Sequence, residues 1–220
     1  MTDIFTEVAE DLRRERAKRL WDRYGWIATA VLLLVVAGTA AFQGWRWYQQ
    51  RQAVAASDRY TSAVQTEATA DPARGVPTLE ALRREGPAGY ALLARFQEAA
   101  ARARAGDRDT AIALWQGIAA DGSIGPVFRD LASVTAILHE IDIAEPSALA
   151  PRLAALDRPD GAFRFSAREL QAALALRQGQ TQQAMTILRR IAEAEDAPMA
   201  LRERAAETLG ALTTSTAGGN

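Results

Sequence analysis

Two stretches of the chain share one plan: AAARARAGDRDTA at residues 99–111 and AALALRQGQTQQA at residues 172–184. In each stretch a helical run ends at a glycine, Gly106 or Gly179, and a second run with helical spacing follows it. A glycine enters the left-handed backbone region of a tight turn without the steric cost that a Cβ atom brings. The two stretches therefore predict helical hairpins of the same design.

The residues around the two glycines also match in size. Both have a small residue seven positions before the glycine, another five after it, a large apolar residue nine after it and an isoleucine twelve after it: Ala99, Ala111, Trp115 and Ile118, then Ala172, Ala184, Leu188 and Ile191. Small residues let paired helices approach, and large ones fill the gap to the next pair. The glycines lie 73 residues apart, which is about two periods of 34.

The middle pair of such an array would occupy residues 126–156, with Asp142 near the expected turn but no glycine there.

Glycine and proline residues separate further segments with helical spacing. We predict helices at residues 78–85, 88–105, 108–120, 126–141, 146–156, 163–178, 180–194 and 198–212. No segment shows the sustained two-residue alternation of a strand. The prediction is an all-α repeat domain at residues 71–212, with about three hairpins and a disordered polar tail at 213–220. An ordinary helical bundle is the alternative.

Residues 24–45 carry no charge, and tryptophans stand at both ends of this stretch. Its 22 residues make about 33 Å of helix, enough for a hydrocarbon core of about 30 Å. We predict one transmembrane helix. A cleaved signal peptide, cut before Phe42, is disfavoured by the length of the apolar stretch and by the acidic residues that precede it. A buried soluble helix is disfavoured because residues 31–36 are apolar on every side.

Charge on the two flanks predicts the orientation. Six basic residues precede the span, and three follow it within 20 residues: Arg13, Arg14, Arg16, Lys18, Arg19 and Arg23, then Arg46, Arg51 and Arg59. Basic residues resist translocation, so the N-terminus is predicted to be cytoplasmic and the repeat domain to lie outside, in the periplasm of a bacterium. The charged segment 1–23 has an apolar stripe at Ile4, Val8 and Leu12, beside Phe5. It is predicted either to lie on the leaflet or to dock on a membrane complex.

Beyond the span, residues 46–70 lack glycine and proline, which predicts that the membrane helix continues outward as an extension. A weak apolar stripe along this extension is predicted to pack on the repeat domain or on a partner. Its members are Trp47, Val54, Thr61, Val64 and Ala68, with Tyr60 close by.

The sequence offers little for catalysis. It has no cysteine and one histidine, His139, which we interpret as a packing or surface residue. The acidic cluster Glu193, Glu195 and Asp196 is interpreted as solvated surface rather than a metal site. We predict no catalytic, cofactor or metal residues, and no enzyme activity. Residues 52–220 carry 18 arginines against 21 acidic residues, which disfavours nucleic acid as a partner.

Exposed arginines leave two interpretations open, a solvated face or a groove for an acidic peptide. They are Arg83, Arg84, Arg102, Arg104, Arg189 and Arg190.

The paired hairpins resemble the tetratricopeptide repeat, with Arg102 and Ala175 at positions where that repeat has a large residue. The whole layout is similar to the ancillary SecYEG translocon subunit family of bacteria, the YfgM-like proteins. The resembling motifs are Asp3-Ile4-Phe5, Leu20-Trp21-Asp22-Arg23-Tyr24-Gly25, Gly44-Trp45-Arg46-Trp47-Tyr48, Gly89-Tyr90-Ala91-Leu92-Leu93-Ala94-Arg95 and Asp130-Leu131-Ala132.

That resemblance implies a single-pass inner-membrane protein whose periplasmic repeats bind newly exported, unfolded proteins. Its partners would be the SecYEG translocon, periplasmic chaperones and membrane lipid. The alternative is a structural scaffold for another envelope complex, in cell division or outer-membrane assembly.

Overall fold

The computed structural model describes residues 3–69 and 72–218, and in these residues the chain is all-helical, without a strand, as the sequence predicts. A 3-10 turn at Pro72–Gly75 lies between the first two helices. The helices are α1 Asp3–Thr69, α2 Val76–Glu85, α3 Ala88–Arg104, α4 Arg108–Ala120, α5 Pro126–Glu140, α6 Pro146–Leu156, α7 Arg164–Arg177, α8 Thr181–Ala192 and α9 Met199–Gly218. The chain divides into two compact units, one up to Ala55 and one from Ala56 onward.

The first unit is part of α1, and the large apolar side chains described from Trp21 onward are exposed. Trp26 is 72% exposed and Leu34 is 73% exposed. The Thr29 hydroxyl donates to the Gly25 carbonyl at 2.9 Å and the Thr39 hydroxyl to the Val35 carbonyl at 2.7 Å, so neither hydroxyl needs water. Among the described residues, one helical stretch, within Trp21–Thr66, is long and apolar enough to cross a membrane. This result agrees with the predicted span in length and composition.

The second unit is built as a series of four apolar clusters that share helices. The first joins the end of α1 to α2 and α3. The next three join α3, α4 and α5, then α5, α6 and α7, then α7, α8 and α9. Because α3, α5 and α7 each serve two clusters, every hairpin is packed against the next one. This is the nearest-neighbour arrangement of a helical repeat protein.

The two glycine turns have the geometry that the sequence predicts. Gly106 has φ of 88° and Gly179 has φ of 74°, and they are the positive-φ residues of the described chain. The Asp107 amide donates to the Arg102 carbonyl at 2.9 Å, and the Gln180 amide donates to the Ala175 carbonyl at 2.8 Å. Each bond satisfies a carbonyl of the last helical turn. The matched small and large residues around both glycines are buried.

The middle turn, between α5 and α6, is closed differently. It has no glycine, and the Arg177 guanidinium at the end of α7 reaches back to it. One Nη atom donates to the Ile141 carbonyl at 2.8 Å and also to the Ala144 carbonyl. The Ile143 and Ala144 amides donate to the Glu140 carbonyl at 3.0 and 2.9 Å, so the middle turn combines its own backbone bonds with a side chain from the third hairpin.

Most helix ends lie within one residue of the predicted limits, whereas the start of α2 and the ends of α8 and α9 differ by more. Helix α2 begins at Val76 rather than at residue 78, because Pro77 fits the first helical turn, where its missing N–H costs nothing. Helix α9 continues to Gly218, whereas the sequence predicts disorder from Thr213. Within this extension the hydroxyls of Thr213 and Thr214 donate to carbonyls one turn back.

The predicted apolar stripe along residues 46–70 is correct only in part: Tyr60 packs against the cluster that joins α1 to α2 and α3. Trp47 and Val54 are more than half exposed, whereas Ala56 and Ala63 are buried against α2 and α3. The small alanines form the contact face because they allow a close helix crossing.

Some expectations lie outside the described residues. These are the predicted break at Asp71 and the side chains of the N-terminal stripe, Ile4, Phe5, Val8 and Leu12, together with Ala68.

Candidate partner-binding surface

Two of the arginines predicted to be exposed are instead partners of a buried carboxylate. Glu98 on α3 is 2% exposed. It accepts from Arg83 Nε at 3.0 Å and from Arg102 Nε at 3.4 Å. Arg102 also binds Glu80 at 2.7 Å and Asp107 at 3.1 Å. A buried carboxylate is costly unless it is paired, so these arginines join α2 to α3.

A sequence signal for this network exists. Glu98 lies four residues after Ala94 and three before Ala101, and both of these alanines are fully buried. A glutamate on the buried stripe of a helix indicates that cations must reach it. The two arginines are therefore excluded as freely available groups for a partner.

The other charged residues singled out by sequence stay on the surface. Arg84 is exposed and lies 3.8 Å from Glu80, while Arg189 and Arg190 are exposed on α8. In the acidic cluster, Asp196 pairs with Arg164 at 2.5 Å. Within the residues that the structure describes, no group of three His, Cys, Asp or Glu side chains is placed to hold a metal ion.

His139 packs within the fold. Its ring stacks on Trp115 with centroids 4.5 Å apart and planes 23° apart. Burial lowers the pKa of His139 from its usual 6.5, and the nearby charge of Arg108 lowers the pKa further. The histidine is therefore biased toward its neutral form, which suits the stack and agrees with the packing interpretation.

A cleft of about 420 Å³, here called the arginine cleft, opens where α4, α5 and α6 meet. Three cations line it, together with one acid, one hydroxyl and four apolar residues: Arg129, Arg152 and Arg158, then Asp130 and Ser133, then Ala119, Pro126, Ala155 and Leu156. Its lining thus combines positive charge with apolar surface.

Two of these three arginines have partners. Arg158 donates to Asp130 at 2.6 Å, and Arg152 donates to Glu140 at 2.5 Å. By contrast, Arg129 Nε is buried and has no hydrogen-bond partner within the part of the chain that the structure describes. No sequence motif predicts this cleft, because its arginines come from α5, from α6 and from the loop after α6, and assemble only through the packing of α5 on α6.

A second cleft of about 290 Å³ lies between α4 and the α5–α6 turn. Its lining is acidic and apolar: Asp109, Ile112, Ala113, Gln116, Glu140, Ile143 and Ala144. Glu140 accepts from Gln116 and also from Arg152 of the arginine cleft. The two clefts therefore share one ion pair.

Comparison with known protein families identifies the class of the repeat domain. The model of the tetratricopeptide repeat-like domain matches residues 18–190, which is most of the chain. The chain belongs to the tetratricopeptide repeat-like domain family. No curated protein and no solved structure matched the chain. The predicted tetratricopeptide-like fold is confirmed, and domains of this kind are typically non-catalytic modules for protein–protein interaction.

Proposed function

We propose that this chain is a single-pass inner-membrane protein whose periplasmic repeats bind newly exported proteins beside the Sec translocon and periplasmic chaperones. The observation that carries the proposal is that one chain combines a tetratricopeptide repeat-like domain with a helix apolar enough to span a membrane. A membrane anchor raises the effective concentration of a binding module near an integral complex, so no tight interface is required.

The choice of the translocon rests on the sequence motifs that resemble the ancillary translocon subunit family. Both flanks of the span also carry features of a membrane interface. Before the span, the Arg23 guanidinium lies 5.8 Å from the Tyr24 ring centre. Trp45 and Tyr48 have ring centroids 6.4 Å apart, and the guanidinium of Arg51 lies 4.0 Å from the Trp47 ring centre. Aromatic rings and arginines favour the headgroup level. The domain limits at residues 1–23, 24–45, 46–70, 71–212 and 213–220 are part of this proposal.

Crosslinking in intact cells, followed by purification in mild detergent and mass spectrometry, tests the partner assignment. We expect SecY-type subunits together with periplasmic chaperones. Recovery of a different envelope complex in their place would contradict the translocon assignment and favour the scaffold alternative. A second measurement separates these functions directly, because a chain that binds unfolded clients should suppress their aggregation, whereas a pure scaffold should not.

The orientation has its own test, which the absence of native cysteines makes simple. A single cysteine is introduced either before the span, as Thr6→Cys, or at an exposed loop residue of the repeats, as Ser123→Cys. We expect a membrane-impermeant maleimide, applied to spheroplasts, to label only the second variant. Labelling of the first variant alone would reverse the proposed topology.

A further inference from the structure

The arginine cleft contains a cation for which the fold supplies no anion. Arg129 Nε is screened from solvent and unpartnered within the described residues. The Arg129 side chain as a whole is partly exposed, but its Nε–H has lost hydration, a loss that is normally offset by a hydrogen bond to an acceptor. Because Arg129 lines the cleft, an anion that enters the cleft can supply that acceptor.

The charge around Arg129 also favours an anion as the ligand. The cleft is lined by three arginines and one aspartate, so its lining carries a net charge of about +2 by simple ionisation at neutral pH. Asp130 is already occupied by Arg158 at 2.6 Å. The partner of Arg152, Glu140, offsets part of this charge from outside the lining. Arg129 therefore remains the cation without an opposing charge.

The start of α5 adds to this positive potential. The 15-residue helix begins at Pro126, which lines the cleft, and its N-cap Gly125 supplies no side-chain hydrogen bond. A helix N-terminus carries partial positive charge that stabilises nearby anions. This contribution does not depend on the arginines, and it also favours a negatively charged ligand.

We propose that the arginine cleft binds a carboxylate of a partner polypeptide, either an acidic side chain or the chain terminus, with Arg129 as the principal ligand-binding residue. Guanidinium groups bind carboxylates through strong, often bidentate hydrogen bonds. The four apolar residues of the lining can accommodate the methylenes next to the carboxylate. The proposal rests on the proposed function, because it specifies the chemistry of the polypeptide that the repeats bind.

The test measures peptide affinity of the full-length chain in detergent by fluorescence anisotropy. One labelled peptide, Ala-Leu-Glu-Ala-Ala-Leu-Asp with a free terminus, carries both sources of carboxylate. A second has an amidated terminus, and a third also replaces the acids by Gln and Asn. We expect the third to bind at least about tenfold more weakly than the first, as loss of a charge-assisted hydrogen bond implies. The second peptide tells whether the side chains or the terminus supply the carboxylate.

Arg129→Gln is the decisive variant, and Arg190→Gln is its matched control. Arg190 is an exposed arginine on α8, outside the cleft. We expect Arg129→Gln to weaken the acidic peptide about tenfold and to leave the neutral peptide unchanged. We expect Arg190→Gln to change neither by more than about twofold. Equal loss in both variants, or no loss in Arg129→Gln, would overturn the proposal.

Two readouts keep the conclusion distinct from folding and from the proposed function. Thermal unfolding by circular dichroism should be unchanged in Arg129→Gln, because the side chain has no internal partner to lose. Binding of the acidic peptide through Arg129, with no exported protein or translocon subunit recovered by crosslinking, would overturn the proposed function alone. Recovery of those partners equally by wild type and Arg129→Gln, without selective binding of the acidic peptide, would overturn the cleft proposal alone.

Discussion

The first and third hairpins turn at a glycine, whereas the turn of the middle hairpin has no glycine and is also bound by an arginine of its neighbour. Gly106 and Gly179 have positive φ, and the following amide satisfies a carbonyl of the helix that has just ended. In the middle hairpin, Arg177 hydrogen-bonds the Ile141 and Ala144 carbonyls. The first solution depends on the turn itself. In the middle turn the Ile143 and Ala144 amides donate to the Glu140 carbonyl, and the contacts of Arg177 add a dependence on the docking of α7.

The difference shows how a degenerate repeat can keep its architecture. The middle hairpin still shares its apolar cluster with α7, as the other hairpins share theirs with the helix that follows. Packing between successive repeats is thus retained, while the local turn signal is lost. Helices α5 and α6 make less contact with each other than the helices of the outer hairpins do, so the middle hairpin should depend more on its neighbours.

The largest expected effect tests that packing. Leu153 of α6 is fully buried in the middle cluster, and Leu153→Ala should lower the free energy of unfolding by about 2–5 kcal/mol. Urea unfolding of the full-length chain in detergent, followed by circular dichroism, measures the change. Leu188→Ala in the third hairpin should cost a similar amount. Leu93→Ala, at a residue that is 44% exposed, should cost less than about 1 kcal/mol.

A much smaller loss for Leu153→Ala than for Leu188→Ala would mean that the middle hairpin is loosely packed. In that case the loss of the turn glycine would reflect a weakened repeat rather than a substituted turn.

The next effect tests the arginine itself. Arg177→Met keeps much of the apolar stem and removes the hydrogen bonds to the two turn carbonyls. Because the Arg177 side chain is exposed, we expect a loss of about 1 kcal/mol. Hydrogen exchange should show faster exchange at residues 141–145, with the turn at Gly106 unaffected. Arg190→Met, an exposed arginine on α8, serves as the control and should change little. Unchanged exchange in the middle turn would contradict the role assigned to Arg177.

The glycine turns give the complementary test. A Cβ atom at Gly106 or Gly179 would meet nothing within 4 Å, so Gly→Ala at either position should cost only the left-handed backbone, about 1 kcal/mol. Gly89→Ala is the matched control. It also has open space for a Cβ atom, but it lies in the first turn of α3 without a positive φ, so it should be neutral or slightly stabilising. Equal effects at all three glycines would mean that positive φ is not what these turns require.

Much of the fold could be predicted because its determinants are local. Gly106, Gly179 and the matched alanines around them specify two hairpins through spacing alone, and Pro126 and Pro146 stand at helix starts. The role of Arg177 could not be predicted, because its acceptors lie 33 and 36 residues away in sequence. The arginine cleft has the same character, since α5 must pack on α6 before Arg129 and Arg152 line one cavity.

The smallest expected effect is a dependence of stability on pH, which tests the contact between His139 on α5 and Trp115 on α4. Because the pKa of His139 is lower in the folded chain than its usual 6.5, the unfolded state binds more protons once the pH falls below that value. Stability should therefore decrease as the pH falls from about 6.5 through the folded pKa, and should be constant above that range. His139→Phe keeps an aromatic ring on Trp115 and removes the titration, so its stability should not fall over that interval. Because this is the single histidine of the chain, a pH response that persists in the variant would assign the effect to carboxylates instead.

If the response disappears and hydrogen exchange places it at α4 and α5, with the third hairpin unaffected, then protonation loosens the contact between the first two hairpins. That outcome would show that the middle hairpin also depends on the neighbour that precedes it, through the His139–Trp115 stack.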